Sequence, residues 1–502
     1  MSDHLSDRIR TILALDPSAP SLEYEGEWTD WATVAQVAAE VEQRLRSAGL
    51  PRGSAVGVVL RNHPLVVAAL LGVLLAQGSI VTISAGHGDT GLAEDIRGLR
   101  LPVLIATDRD WGRAGIAAAA GGALGLRLSA QPVGVDTAFD LAAPGPGPFR
   151  TVAPGVAVEM LTSGTTGPPK RIPLSYEAFE NTIAAAGAHY GSGGRAEIRL
   201  RSGVAIVSSP LVHMSGLFRT LLNICEGRRI ALLERFRVTD FVELVQRHRP
   251  RAVSLVPAAL GMILEAGVPP EVFDSVEVVT SGTAHLPIEL QEAFEQRYSV
   301  AVLPSYGATE FAGGVAGWNL ALHREWAQVK RGSVGRAQKG REIRVVAVDS
   351  PPASADVEMP AGEQGRIEVR TRGGEWVATT DLGRIDADGF LYVDGRTDDV
   401  IIRGGFKITP ADIVTALRQH EAVRDAGVVG MPDTRLGAVP VAAVEVIAGA
   451  DATADELLMF LRDRVSPYQV PARLLVVEEL PRTPSMKVSQ PGVRALFEKV
   501  VS

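Results

Sequence analysis

Apolar runs of strand length recur along most of the chain and alternate with segments of helical length. The runs fall at residues 55–60, 103–106, 204–207, 230–233, 252–255 and 276–280. Such alternation predicts an α/β architecture with largely parallel sheets. The most apolar stretch, residues 64–76, is short for a membrane span and predicts a buried helix leading into a strand over 79–83. After Asp394 the texture changes to shorter βαββ-like units. Strands are expected over 426–429, 441–447 and 474–477, with a helix over 453–464. This tail, roughly a hundred residues long, can support a small core of its own. The Pro/Gly-rich stretch 142–148 reads as an interior linker, and no internal repeat is evident.

Bulk properties then narrow the function classes. The chain has 502 residues and a formal net charge of −8. That length suggests roughly three structural units, and the acidic balance argues against nucleic acid as the main partner. A single cysteine, Cys225, excludes a disulfide framework and fits a reducing, cytoplasmic setting. It lies in a mostly apolar run, which predicts buried packing rather than nucleophilic chemistry. The first residues lack the layout of a secretory leader, and no transmembrane segment is expected.

The densest chemistry lies in LTSGTTGPPKRIPLS, from Leu161 to Ser175. Hydroxyls at Thr162, Ser163, Thr165 and Thr166, glycines at Gly164 and Gly167, and the cation Lys170 are packed together there. Glycines let the backbone turn tightly and present its N–H groups to an anion. Short hydroxyls add donors, and a lysine supplies a compact charge for phosphate oxygens. The mostly apolar run 156–161 leads in, and Ser175 is placed to cap a following helix. The segment reads as a polyphosphate clamp, distinct from the Walker pattern because two prolines separate Gly167 from Lys170. Of fifty basic residues only six are lysines, so a retained lysine marks a place where an ammonium is specifically needed. Lys170 and Lys487 both stand in such motifs.

Further motifs follow in order: SYGATE (Ser305 to Glu310), TTDLGRID (Thr379 to Asp386), GRTDDVIIRGGFKITPADI (Gly395 to Ile413) and PRTPSMK (Pro481 to Lys487). Together with the loop at 162–170, this set resembles the adenylate-forming superfamily of acyl- and aryl-CoA synthetases, luciferases and peptide-synthetase adenylation domains. The resemblance spans about the whole chain. It implies an α/β fold with a large multi-sheet N-terminal domain over 1–395 and a small α+β lid domain over 396–502. It implies ATP, Mg²⁺ and CoA as ligands, and activation of a carboxylic acid as an acyl-adenylate.

Carried over residue by residue, the resemblance places the nucleotide against Gly282, Thr283, Ala284, Ser305, Tyr306, Gly307 and Ala308, with Tyr306 able to stack on adenine. Glu310 becomes the Mg²⁺ ligand and Thr309 a donor to the α-phosphate or the carboxylate. Asp381 would accept from the ribose hydroxyls, with Arg396 nearby. Lys487 becomes the catalytic cation that stabilises charge at the α-phosphate. Asp398 takes the hinge position, and rotation there would bring Gly404 and Gly405 toward the adenylate. Lys407 is either a further phosphate ligand or a solvated lysine. Three departures stand out. Thr380 and Met486 occupy positions where glycine is usual, and the connection between 370 and 376 is short, which predicts a trimmed surface loop.

Substrate choice rests on SSPLVHMSGL, Ser208 to Leu217, which resembles the mouth of the acyl site with His213 as its gate. The stretch carries no aspartate to hold an α-ammonium, which argues against an α-amino acid. Leu217, Phe218, Val256, Thr280, Ser281, Gly282, Thr283, Gly313 and Gly314 are candidate lining, small and apolar, suited to an aryl or apolar acid. Arg235 is either a cation for the CoA phosphate or only a solubilising charge. The final acceptor stays open among CoA, a carrier protein and a nitrogen nucleophile, each arriving in trans. A non-catalytic nucleotide-binding regulator is the competing class, and monomer and homodimer are both compatible with the sequence.

Overall fold

The computed structural model describes residues 5–139, 141–162, 170–189, 198–351, 358–371, 374–397, 399–403, 406–447, 449–483 and 486–498. The chain divides into two compact units. The first comprises residues 1–162, 169–283 and 292–314, and the second 163–168, 284–291 and 315–502.

A seven-stranded sheet organises the first unit. Its middle is parallel: Ala55–Leu60 lies between Ser79–Ser84 and Val103–Thr107, with Val56 opposite both Ile80 and Val103. All three strands are buried throughout, as expected where helices cover both faces of a sheet. The predicted apolar helix forms as Pro64–Leu75, with proline in its first turn and His63 capping Leu65 N. Every residue of it is buried. Gly72 permits this, because a Cβ there would stand 2.5 Å from the Ala38 carbonyl oxygen of the helix Trp31–Ser47. A second sheet carries Arg201–Val207, Arg228–Leu232, Pro20–Tyr24 and Glu27–Asp30. A third set of parallel strands follows: Ala252–Ser254, Val278–Ser281 and Ala301–Ala308. Cys225 is buried in the main core, and burial pushes its thiol up to about 12, in keeping with a packing role.

In the second unit, four antiparallel strands run Arg341–Val346, Gly365–Thr371, Trp376–Ile385 and Leu391–Arg396. Arg370 pairs with Trp376 on the neighbouring antiparallel strand. Glu368, 0 % exposed, is held by Arg344 at 2.7 Å and Arg366 at 2.9 Å. The tail has its own cores, one around Ile413, Leu417, Leu457 and Leu461, another around Val429, Val493 and Phe497. Its strands Val423–Asp433 and Gly437–Val446 run longer than the apolar pattern suggested. Asp425 lies just outside the expected run, and it and Glu445 are satisfied inside the ladder by Arg418, Arg424 and Arg482. The expected helix runs Ala454–Arg462, started by a capping box between Thr453 and Glu456.

Candidate active site

The site residues fall into two groups, one in each unit. In the first unit, Val156–Thr162 pairs antiparallel with Lys170–Ser175, and Thr162 stands opposite Lys170. The hairpin is fixed at its root: Leu161 N donates to Thr82 Oγ1 at 3.1 Å, and Arg171 donates to the Thr82 carbonyl at 2.8 Å and to Asp95 at 3.2 Å. Ser175 Oγ accepts from Ala178 N at 3.1 Å and caps the helix Tyr176–His189, as its position in the sequence indicates. Ser163, Gly164, Thr165, Thr166 and Gly167 lie outside the described residues.

The strand Lys170–Ser175 packs beside the short 3₁₀ turn Thr309–Phe311, which brings this hairpin next to SYGATE. Ala312 closes that turn in the left-handed region. Backbone approaches shape the surroundings. A Cβ on Gly307 would lie 2.3 Å from the Gly313 carbonyl oxygen, and one on Gly282 would lie 2.7 Å from Ser305 Oγ. Ser305 Oγ itself donates to the Ser281 carbonyl at 3.2 Å. Thr283 stands at φ +70°, a conformation few residues adopt, in the turn after the strand Val278–Ser281. Tyr306, Ala308 and Thr309 are half-buried and Glu310 is exposed. Among the described residues no cluster of three His, Cys, Asp or Glu gathers to cage a metal. One exposed carboxylate beside a phosphate hairpin fits Mg²⁺, which keeps water and takes most of its protein-side charge from one or two carboxylates and bound phosphates.

His213 precedes the helix Met214–Cys225 as its N-cap residue. The turn before it is clamped by Asn62, 2 % exposed. Asn62 Nδ2 donates to the carbonyls of Ser209 at 3.0 Å and Leu233 at 2.8 Å, while its Oδ1 accepts from Leu211 N at 2.8 Å. Arg219, on the same helix, donates to Thr280 Oγ1 at 2.9 Å. Phe218 lies against Gly313, where a Cβ would meet its ring at 3.7 Å. Leu217, expected to line the acyl site, is instead wholly buried in the core, on the face of the helix it shares with Leu221, Ile224 and Cys225. Arg235 is exposed just beyond the strand Arg228–Leu232. Sequence reasoning missed Asn62 and Arg219. A signal existed for the second, since Arg219 is the one charged residue of its helix.

In the second unit, Asp381 stands opposite Arg396 on adjacent strands, with 3.8 Å between carboxylate and guanidinium. Arg396 also donates to Thr380 Oγ1 at 2.6 Å. Thr380 is absent from the positive-φ residues, so the residue that replaces a usual glycine is unstrained and adds a hydroxyl acceptor. Lys487 shares this neighbourhood. Its side chain reaches solvent, yet surrounding protein desolvates the ammonium and lowers its pKa; Arg396 adds to the fall and Asp381 opposes it. The turn bearing Lys487 is tied by Thr483 N to the Lys487 carbonyl at 2.8 Å and by Arg482, which reaches Asp425 at 3.0 Å and Glu445 at 3.2 Å. Met486 sits at φ +65°, where glycine would be relaxed. Ala284 is exposed, and Lys407 lies on the strand Phe406–Ile408 opposite Ile402. Asp398, Gly404 and Gly405 lie outside the described residues.

A hairpin rich in hydroxyls and glycine beside the exposed carboxylate of Glu310, and the ammonium of Lys487 in the field of the Asp381–Arg396 pair, are the chemistry expected of a nucleotide-binding enzyme. The chain belongs to the AMP-binding enzyme family: the family model matches residues 10–378, and the model of its C-terminal domain matches residues 413–487. The 2-succinylbenzoate–CoA ligase of Bacillus velezensis is 32 % identical over 349 residues, covering 66 % of this chain and 67 % of that one. Among solved structures, ATP-bound MatB from Rhodopseudomonas palustris superposes with a TM-score of 0.83 at 22 % identity, covering 100 % of both chains. The amide bond synthetase McbA from Marinactinospora thermotolerans gives 0.80 at 24 % identity, covering 98 % of this chain and 100 % of that one. At these identities the structural likenesses speak for the fold.

Proposed function

We propose that the protein is an AMP-forming acid–thiol ligase that activates an aryl or apolar carboxylic acid with ATP and passes it to CoA. In the first step a carboxylate oxygen of the acid attacks the α-phosphorus. The bond to the β-phosphate bridging oxygen breaks, pyrophosphate leaves, and an acyl-adenylate forms. In the second step the thiol sulfur attacks the acyl carbon, AMP leaves with the electron pair, and the thiol proton passes to solvent.

The observation that carries this reading is the grouping of Lys487 with Asp381 and Arg396. A cation held beside a ribose-binding carboxylate is placed where α-phosphate charge builds up, and preorganised charge of this kind is the largest lever on phosphoryl and acyl transfer. Asp381 accepts from the ribose hydroxyls while Arg396 steadies it. The hairpin from Thr162 to Lys170 holds the leaving pyrophosphate. Thr309 donates to the α-phosphate, and Glu310 holds magnesium, which supplies charge neutralisation at the phosphates when bound. Ser305 to Ala308 and Gly282 to Ala284 wall the adenine, His213 gates the acyl site, and Arg235 meets the CoA phosphate. The lid begins at Arg396 and turns about Asp398. Cytoplasmic placement is supported by the lone buried Cys225, and among the described residues no helix is long and apolar enough to cross a membrane.

The test is AMP formation from ATP across a panel of carboxylic acids, with CoA present or absent. CoA-dependent turnover to a thioester is expected. AMP production that ignores CoA but responds to an amine would move the assignment to nitrogen acylation, and ATP binding without pyrophosphate release would make the protein a nucleotide-binding regulator.

A further inference from the structure

Val156–Thr162 and Lys170–Ser175 are the last two strands of the seven-stranded sheet, and Lys170–Ser175 forms its edge. The ladder between Ser79–Ser84 and Val156–Thr162 is short, pairing Ile80 with Val158 and Val81 with Glu159. Past that register the hairpin continues to Thr162 and Lys170 as a two-stranded ribbon. Such a ribbon has little stability of its own in water.

Side chains take over where the ladder stops. Thr82 is wholly buried, and its Oγ1 donates to the Glu159 carbonyl at 3.2 Å while accepting from Leu161 N at 3.1 Å. The Thr82 carbonyl accepts from Arg171 Nη1 at 2.8 Å, and Arg171 Nη2 donates to the Asp95 carboxylate at 3.2 Å. Asp95 stands on the helix Asp89–Leu99, which packs against Ser79–Ser84. Arg171 therefore reaches from the edge strand across Val156–Thr162 to the next strand and its helix. The guanidinium is 11 % exposed and the carboxylate 22 %, so this is not a solvated surface bridge. Glu159, held by Arg150 at 2.8 Å, lets a second guanidinium share the same space. Arginine suits the duty because its rigid fork can hold a carbonyl and a carboxylate on two elements at once, whereas lysine offers a point charge.

Side chains alternate along a strand, so exposed Lys170 projects from the face opposite to Arg171. Arg171 fixes the main chain beneath Lys170 and stays out of the space in which that ammonium works. We propose that Arg171 is a positioning residue for ATP: through Thr82 and Asp95 it holds Lys170 where the lysine meets the β- and γ-phosphates. This rests on the reading of the hairpin as the holder of pyrophosphate. The consequence is selective, because AMP lacks those two phosphates and is indifferent to where Lys170 stands.

Calorimetric titration of the full chain with MgATP and with AMP, without any acid present, tests this. Arg171→Gln should weaken MgATP roughly tenfold or more, the scale on which a displaced charged group loses its phosphate contact, and leave AMP within about twofold. Arg171→Lys keeps the charge without the fork and should recover part of the loss. Asp95→Asn spares the bond to Thr82 and should weaken MgATP about threefold with AMP level, the scale of a partly exposed ion pair. It should add little to Arg171→Gln, because the two residues act as one unit. If Arg171→Gln does not fold, Asp95→Asn and Arg171→Lys decide by the same ratio of ATP to AMP affinity. A tether that only supports the fold predicts equal weakening of both nucleotides together with a lower melting temperature, and that result overturns the proposal. So does an unchanged affinity for MgATP. Lys170→Ala separates the two levels of inference. Selective loss of MgATP in Lys170→Ala but not in Arg171→Gln would sink the positioning role alone. An unchanged ratio of ATP to AMP affinity in Lys170→Ala would sink the phosphate reading of the hairpin and take the positioning role with it.

Discussion

The candidate residues of the first unit are set among close backbone approaches, whereas those of the second are long charged side chains. Gly307 and Gly313 touch main chain to main chain, Gly282 leaves room for Ser305, and Thr283 and Ala312 accept left-handed geometry to complete the turns. Asp381, Arg396 and Lys487 instead act through fields and hydrogen bonds at the tips of flexible side chains. The difference teaches where each unit is vulnerable. A wall of backbone fails when an atom is added, because main chain cannot swing aside. A charged group fails when a charge is removed, and it leaves the fold standing.

The largest effect should come from the second unit. Lys487→Ala is expected to slow adenylation by roughly 10²- to 10³-fold, the usual loss when one preorganised charge-stabilising group is removed. Thioester formation from a supplied acyl-adenylate should stay within about twofold, because no α-phosphate charge builds up in that step. Separate single-turnover measurements of the two half-reactions check this. Equal loss in both would mean that Lys487 supports structure rather than charge.

Asp381→Asn comes next. The KM for ATP should rise roughly tenfold or more, since a charged acceptor contributes about 1.5–3 kcal/mol, while the KM for the acid stays nearly level. The pH profile sharpens the comparison. Desolvation and Arg396 already lower the pKa of Lys487, and among the described residues Asp381 opposes them. Removing that charge lets the pKa fall further. The lysine must be protonated to act, so the high-pH limb of adenylation should move to lower pH. A stationary limb would break the link between the two residues.

The smallest effect should appear as stability rather than titration. Gly307→Ala places a Cβ 2.3 Å from the Gly313 carbonyl oxygen, and relief requires the main chain to shift. A loss of about 1–3 kcal/mol is expected from overpacking of this kind, read from the denaturant midpoint. kcat/KM should fall for ATP and acid together while the pH limb stays in place. A shifted limb would show that the two units do not divide shape from charge.

Two departures from the superfamily pattern are legible in the sequence, and the fold treats them differently. Thr380 fits without strain and even supplies an acceptor to Arg396. Met486 does not: at φ +65° it carries the roughly 1–2 kcal/mol penalty of an L-residue in left-handed geometry, next to Lys487. The letters were the same kind of clue in both cases, a side chain in place of glycine. Only the backbone path separates them, and that path is imposed by tertiary pairing.

What the sequence by itself determined is the local part. Apolar runs marked the buried parallel strands and the helix Pro64–Leu75, because hydrophobic patterning and a proline start are properties of neighbouring residues. The glycine- and hydroxyl-rich loop, the retained lysines and the ordered motifs announced nucleotide chemistry in the same way. Ser175 and Thr453 declared their helix starts. Tertiary structure decided the rest. Asn62 clamps backbone groups at 209, 211 and 233, and Arg219 finds Thr280; these partners lie on other elements and leave no periodic trace. Leu217 reads as pocket lining until the helix is seen to turn it into the core. The lowered pKa of Lys487 depends on how much protein surrounds it and on two charges from distant strands. Desolvation and electrostatic fields act through space, and a linear sequence does not record those distances.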